Sequence, residues 1–235
     1  MDDRILKIRD AEAKSHIEAY STFELYSPGS WLAKPVKTVM EILPCFAEYR
    51  NLRVLDLGSG VGRNAIAIAK QFLSIECHIE CVDILEMAIE KLMDNADKHG
   101  IADRIAGIVS SIDAYQILEN HYDFILAVSA LEHICSEEAF LDKLLSIKNG
   151  LRTGGVACFI VNSGVQEWSK ESGDARVPQF EVNLPTDEML RTLETTFLDW
   201  EVLKQTVVHQ TYDIPRETGM SLVHTDVVTY VVRKH

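Results

Sequence analysis

The chain has 235 residues, 47% of them hydrophobic and 25% charged, and a formal net charge of −13. That is an ordinary globular composition, long enough to bury a sizeable core without disulfides or a structural metal. So acidic a surface repels a phosphate backbone, which argues against a nucleic-acid partner, and no apolar run approaches the ~20 residues of a membrane span. The opening "MDDRILKIRD" has no signal-peptide core, so the expected compartment is the cytoplasm.

In chain order, residues 4–20 and 35–49 have helical patterns, separated by "STFELYSPGSW". Five apolar, strand-like runs follow: "LRVLDL" (52–57), "HIECVD" (78–83), "RIAGIVS" (104–110), "DFILAVS" (123–129) and "GVACFIVN" (155–162). Helical patterns lie between several of them. One covers residues 63–72. Another covers 86–99, with Ala88, Leu92 and Ala96 on one stripe and a stop at Gly100. A third covers 137–149, with Ser136 as N-cap, Glu137 and Glu138 in the first turn and a stop at Gly150. Near-continuous apolar strands alternating with helices predict a parallel sheet covered on both faces.

After the fifth run the rhythm changes. Residues 163–183 are polar and rich in breakers and read as a long loop, which inside a compact domain is usually functional. Residues 186–197 read as a capped helix, and 200–212 and 225–234 as two strands close enough in sequence to pair antiparallel. No repeat or linker divides the chain, which reads as one domain, with residues 1–49 as an N-terminal helical segment and 50–235 as the core.

The five cysteines (Cys45, Cys77, Cys81, Cys135 and Cys158) are odd in number and mostly inside apolar runs, as expected of buried thiols in a reducing compartment. Cys77 and Cys81 fall on one strand, where their spacing separates the sulfurs by ~13 Å, too far for one tetrahedral ion.

The segment "VLDLGSGVGRNAIAIA" (54–69) carries the chemistry. A phosphate-binding P-loop needs a Lys-Ser/Thr pair after its last glycine, and here Arg63 and Asn64 follow Gly62. A dinucleotide turn spaces its glycines G-x-G-x-x-G. Here the spacing is G-x-G-x-G, and Asp56 precedes the first glycine. A carboxylate there is a poor neighbour for pyrophosphate and a good one for a ligand with an ammonium group.

With these residues the chain resembles the class I S-adenosylmethionine-dependent methyltransferases over roughly residues 35–235. "DLGSGVG" (56–62) matches the motif that packs Asp56, Gly58, Ser59 and Gly60 against the methionine part of the cofactor. Asp83, followed by Ile84, matches the acid that accepts hydrogen bonds from both ribose hydroxyls, a double acceptor facing two donors. "SSIDA" (110–114) matches the adenine turn, with Ile112 against the ring and Asp113 accepting from the exocyclic amine; as a residue read alone, Asp113 is equally a helix N-cap. "DFILAVSALEHI" (123–134) matches the motif whose strand end, at Ser129, lines the methyl-transfer site. "LRTGGVACFIV" (151–161) matches the turn into the fifth strand.

The resemblance implies an α/β, Rossmann-like fold: a seven-stranded, mostly parallel sheet with an antiparallel last strand, helices on both faces and a short N-terminal helical extension. It implies S-adenosyl-L-methionine as cofactor, S-adenosyl-L-homocysteine as product and a small-molecule methyl acceptor as partner. "GRNAIAIA" is similar to the tellurite-resistance enzymes and "ALEHI" to the ubiquinone-biosynthesis type. Some of the latter bind a metal through Glu-x-x-Glu-His; here the set Ser129, Glu132 and His133 is incomplete, so no metal is expected.

Methyl transfer is an in-line displacement that the protein assists by alignment and, for a hydroxyl or phenol acceptor, by a base. His133 is the candidate base, titrating near neutrality; its competing role is to pack or cap the next helix, while Glu132 is expected to face solvent or the helix terminus. Tyr20, Tyr26, Trp31, the loop around Trp168 and the turn near Arg216 are expected to enclose the acceptor. The rival readings are a cofactor-binding sensor or partner subunit without transfer activity, and a nicotinamide dehydrogenase, which the glycine spacing disfavours. A homodimer is left open.

Overall fold

Each apolar run becomes a strand because its alternate side chains are buried on opposite sheet faces. The computed structural model describes residues 3–216 and 218–235. Its strands are β1 (Asn51–Leu57), β2 (Glu76–Asp83), β3 (Ile105–Val109), β4 (Tyr122–Val128), β5 (Leu151–Ser169), β6 (Ala175–Arg176), β7 (Glu201–Arg216) and β8 (Gly219–Arg233). The sheet runs β3-β2-β1-β4-β5-β8-β7, with the two-residue β6 paired to the end of β5. Pairs among β1 to β5 are parallel. β8 is antiparallel to both β5 and β7. The expected seven-stranded sheet is therefore present, with β6 added.

The helices are α1 (Asp3–Thr22), α2 (Lys37–Ile42), α3 (Arg63–Gln71), α4 (Glu86–Lys98), α5 (Glu137–Gly150) and α6 (Thr186–Thr196). Leu55, Leu57, Ile125 and Phe159 point to one face, where Leu144 and Ile147 of α5 and Met189 and Leu193 of α6 cover them. Leu52, Val54, Phe124 and Leu126 point to the other, under Ile66 and Ala69 of α3 and Leu92 and Ala96 of α4. Cys77, Cys81 and Cys158 belong to this second core. Burial pushes the Cys77 thiol up to about 11 and the Cys158 thiol up to about 12.

Local signals explain most boundaries. The Ser136 hydroxyl accepts from the Ala139 N–H at 3.1 Å, a cap worth ~1 kcal/mol. Gly100, at φ +67°, follows the last turn of α4. The helix begun at Lys37 tightens at Pro44 into a short 3-10 turn, Leu43–Phe46, because proline removes a helical donor.

Three expectations need correction. Residues 163–169 are not loop: β5 continues to Ser169, and Gln166 to Ser169 pair with His224 to Ser221. A register shift after Ser163 lets the strand bend, and its polar residues conceal it. The α6 helix has no side-chain cap; Pro185 holds that position, and the Thr186 hydroxyl donates instead to Asp226 Oδ2 at 2.7 Å. β7 and β8 are longer than expected, so β5, β7 and β8 extend past the sheet core as an arm. The arm has its own apolar cluster of Val165, Phe180, Val223, Tyr212 and Ile214. Among the described residues no helix is long and apolar enough to cross a membrane.

Candidate active site

Strand order reverses between β1 and β4, and ligands of open α/β sheets sit at such a switch point, beyond the carboxyl ends of the strands. There the chain turns sharply after β1. A Cβ at Gly58 (φ +75°) would collide with the Ala130 Cβ, and one at Gly60 (φ +52°) would lie 2.7 Å from the Tyr20 hydroxyl. Glycine is required at both positions by conformation and by space.

Asp83 ties this turn to the next. Its Oδ2 accepts from the Gly60 N–H at 2.8 Å and its Oδ1 from the Leu85 N–H at 3.0 Å. Burial holds its carboxyl above the usual carboxylate range despite those bonds. Beneath the turn, Asp56 is 1% exposed and burial pushes it up to about 7. The Asp56 Oδ2 and Ser59 Oγ atoms are buried without a hydrogen-bond partner. Two unsatisfied acceptors under a glycine cradle suit a ligand that brings donors, such as an ammonium.

A cavity of about 320 Å³ opens over this edge. Gly58, Asp83, Ile84, Ile112, Asp113, Ser129 and His133, all singled out from sequence, line it. Asp56, Ser59 and Gly60 do not; they build the turn from behind. Ser129 leaves β4 at φ +49°, a conformation non-glycine residues rarely adopt and which clusters at functional sites. Asp113 caps no regular helix: its Oδ1 accepts from the Cys135 N–H at 2.9 Å and its Oδ2 pairs with Arg9 Nη2 at 2.7 Å. Burial would raise the Asp113 carboxyl, but these bonds hold it below its ordinary value.

His133 ends the short turn Leu131–His133. Its Nδ1 lies 2.9 Å from Glu181 Oε2, and the Phe180 ring stacks on it at 5.5 Å and 19°. Burial alone would lower its pKa; the Glu181 hydrogen bond and the charges of Glu132 and Glu12 override burial and lift it to about 9. Titration near neutrality is therefore not what this environment gives. Glu132 is also corrected. It is fully buried, not facing solvent, and its Oε1 accepts from the Asn162 N–H at 3.1 Å and Nδ2 at 2.6 Å.

Of the aromatic enclosure, only Tyr20 lines the cavity. The Tyr26 hydroxyl donates to the Arg63 carbonyl at 2.8 Å, and Trp31 is half-exposed. Trp168 packs on His224 in the arm, and Arg216 pairs with Glu167. The wall comes instead from α1, through Arg9, Glu12, Ala13, His16 and Tyr20, and from Glu181. The α1 residues recur every three or four positions, a helical face legible in principle; because it is mostly polar it resembles a solvated one. Glu181 stands in an irregular segment with no local signal.

The methyltransferase-domain family model matches residues 54–155. TehB from Haemophilus influenzae superposes with a TM-score of 0.59 at 21% identity, covering 83% of this chain and 62% of its own. This chain thus spans less than two thirds of that protein's length. The [4+2]-cyclase SpnF gives 0.59 at 14% identity, covering 88% of this chain and 83% of its own. A geranyl diphosphate methyltransferase solved in complex with S-adenosylmethionine gives 0.55 at 14% identity, covering 84% of each chain. At such identities the likeness is one of fold. No protein of curated function matches the chain in sequence.

Proposed function

We propose that this protein, whose residues 54–155 match a methyltransferase-domain family model, is a class I S-adenosylmethionine-dependent methyltransferase acting on a small-molecule acceptor. One observation carries the reading: a single cavity joins the Gly58 turn, Asp83, Ile112, Asp113 and Ser129 to His133. When bound, S-adenosylmethionine supplies an electrophilic methyl group on its sulfonium.

The chain's own residues divide the remaining work. Gly58 and Gly60 keep the turn bare of side chains toward the methionine end, and Asp56 and Ser59 support it from behind. Asp83 accepts from the ribose, Ile112 lies against the adenine ring and Asp113 accepts from its amine. His133 takes the proton of a hydroxyl or phenol acceptor at Nε2, while Glu181 holds Nδ1 and fixes the ring. Helix α1 covers the cavity and excludes water.

Calorimetric titration with S-adenosylhomocysteine and with NAD tests the cofactor assignment, and binding of NAD alone overturns it. A methyl-acceptor screen then tests transfer. A protein that binds S-adenosylhomocysteine but methylates no hydroxyl, phenol, thiol or amine in the screen is a binding scaffold, not an enzyme.

A further inference from the structure

The arm formed by the outer ends of β5, β7 and β8 lines no part of the cavity, yet it holds a nearly buried ion pair. The Arg216 and Glu167 side chains are 9% and 2% exposed. Their contact is bidentate, Nε to Oε1 at 3.0 Å and Nη2 to Oε2 at 3.0 Å. A buried pair of this kind is weak evidence for stability, because desolvation consumes most of its attraction. Arg216 makes one further bond, from Nη1 to Gln179 Oε1 at 2.7 Å.

Gln179 opens the segment that contacts His133. Phe180 follows it, stacked on the imidazole while also belonging to the arm's apolar cluster. Glu181 comes next, bound to His133 Nδ1. The Val182 N–H then donates to the Glu132 carbonyl at 2.9 Å, next to His133 in sequence. Helix α1 fastens the same segment from the other side: Arg4 Nη2 donates to the Phe180 carbonyl at 2.8 Å and Arg9 Nε lies 3.4 Å from Glu181 Oε1.

We infer that Arg216 is a positioning residue for His133, acting through Gln179 to hold Phe180 and Glu181 against the imidazole. The inference rests on His133 being the base of the proposed reaction. Glu167 orients the guanidinium, the fork fixes Gln179, and the one-residue spacing to Phe180 sets where the carboxylate of Glu181 arrives.

The charged groups about His133 give opposite signs for the two ways Arg216 could act. Glu181, Glu132 and Glu12 raise its basicity; Arg9 pairs with Glu181, Arg4 bonds the Phe180 carbonyl, His16 lines the same cavity, and Arg216 stands behind Gln179. Acting merely as a distant positive charge, Arg216 would depress the imidazole, and its loss would raise the pKa. Acting through Glu181, its loss lowers it. Gln179→Ala removes the linking bond without touching the buried pair, and Arg216→Lys keeps the charge but loses the fork.

The experiment is an NMR titration of the His133 imidazole in the full-length protein, with thermal melting as a check on the fold. The expected result is a fall of ~1 pH unit in Gln179→Ala and in Arg216→Lys. Glu181→Gln should lower it at least as far. If Glu181→Gln shifts His133 while folded Gln179→Ala leaves it unmoved or higher, the positioning role is overturned and the His133–Glu181 pairing stands. If Glu181→Gln leaves His133 unmoved, the pairing fails and the positioning role with it, while turnover of His133→Ala decides the base assignment separately. Gln179→Ala decides the matter even where Arg216→Lys does not fold.

Discussion

Replacing Asp83 with alanine tests the cofactor half of the site most directly. In the free protein its two oxygens already accept from the Gly60 and Leu85 N–H groups at 2.8 and 3.0 Å. A carboxylate has about four acceptor sites, so Asp83, which lines the cavity, retains acceptor capacity for a ligand. Two ribose hydroxyls bonded there contribute ~1.5–3 kcal/mol each as charge-assisted bonds. Burial holds the carboxyl above its usual range, which places the gain toward the lower end. Taking ~1.5 kcal/mol for each bond, affinity for S-adenosylhomocysteine should fall by ~10²-fold. The alanine also strips a partner from the Gly60 N–H, so part of the loss reflects a looser turn. Asp83→Asn separates the two effects, since it retains an acceptor oxygen for one of the two amides. The assay is isothermal calorimetry alongside circular dichroism. A folded Asp83→Ala protein with wild-type affinity refutes the assignment of Asp83 to the ribose.

Five further outcomes are expected. Gly60→Val should abolish binding of S-adenosylhomocysteine, because a β-branched residue at φ +52° is strained and its Cβ meets the Tyr20 hydroxyl; normal binding by the folded variant would put the ligand elsewhere. His133→Ala should lower turnover of a hydroxyl acceptor by ~10²–10⁴-fold with cofactor affinity nearly unchanged. In the wild type that turnover should rise with pH through about 9, since only the neutral imidazole accepts a proton; a rate that plateaus near pH 7 contradicts the raised pKa. The same shift predicts a stability term: the His133 pKa is raised on folding from 6.5 to about 9, so the pairing stabilises fully below pH 6.5 and is lost as pH rises through 9. The melting difference between wild type and Glu181→Gln should shrink over that window. Arg9→Ala removes the bridges from α1 to Asp113 and Glu181 and should speed amide exchange in α1 by at least ~10-fold, as expected for the loss of charge-assisted bonds.

What the sequence made legible follows from how local the signal was. The strands β1 to β4 are apolar runs bounded by breakers, and the glycine turn carries its conformational requirement in its own residues, so both were readable. Asp83, Ile112, Ser129 and His133 each stand at or just past the end of a strand, and that edge is fixed once the sheet order is known. The outer end of β5 was not readable. Ser163, Gln166 and Ser169 look like loop residues, and they form strand only because β8 lies alongside to receive them. Local propensity had no access to that pairing. Glu132 was misplaced because its burial depends on Asn162, thirty positions away in sequence, reaching back to it. Glu181 carries no local signal, and Arg9, though on a legible helical face, shows nothing locally of its pairing with Asp113, because both contacts arise only through tertiary packing.

The division between the readable and the unreadable follows the chemistry of the site. The turns that would hold the cofactor follow β1, β2, β3 and β4, where each residue answers to a fixed backbone position at the sheet edge. The groups around His133 come from outside that sheet core: α1 supplies Arg9, Glu12 and His16, and the segment braced by the arm supplies Phe180 and Glu181. As the proposed base, an imidazole lifted to about 9 by Glu181 and Glu12 of these added segments together with the adjacent Glu132 is matched to a weakly acidic proton, as on a phenol, rather than to a thiol that ionises unaided. On the proposed function, changing α1 or the arm should therefore alter which acceptor is deprotonated, while the glycine turn and Asp83 stay free to make the same cofactor contacts. Under that same proposal, selectivity would then reside in charged, long-range contacts that local sequence patterns do not record.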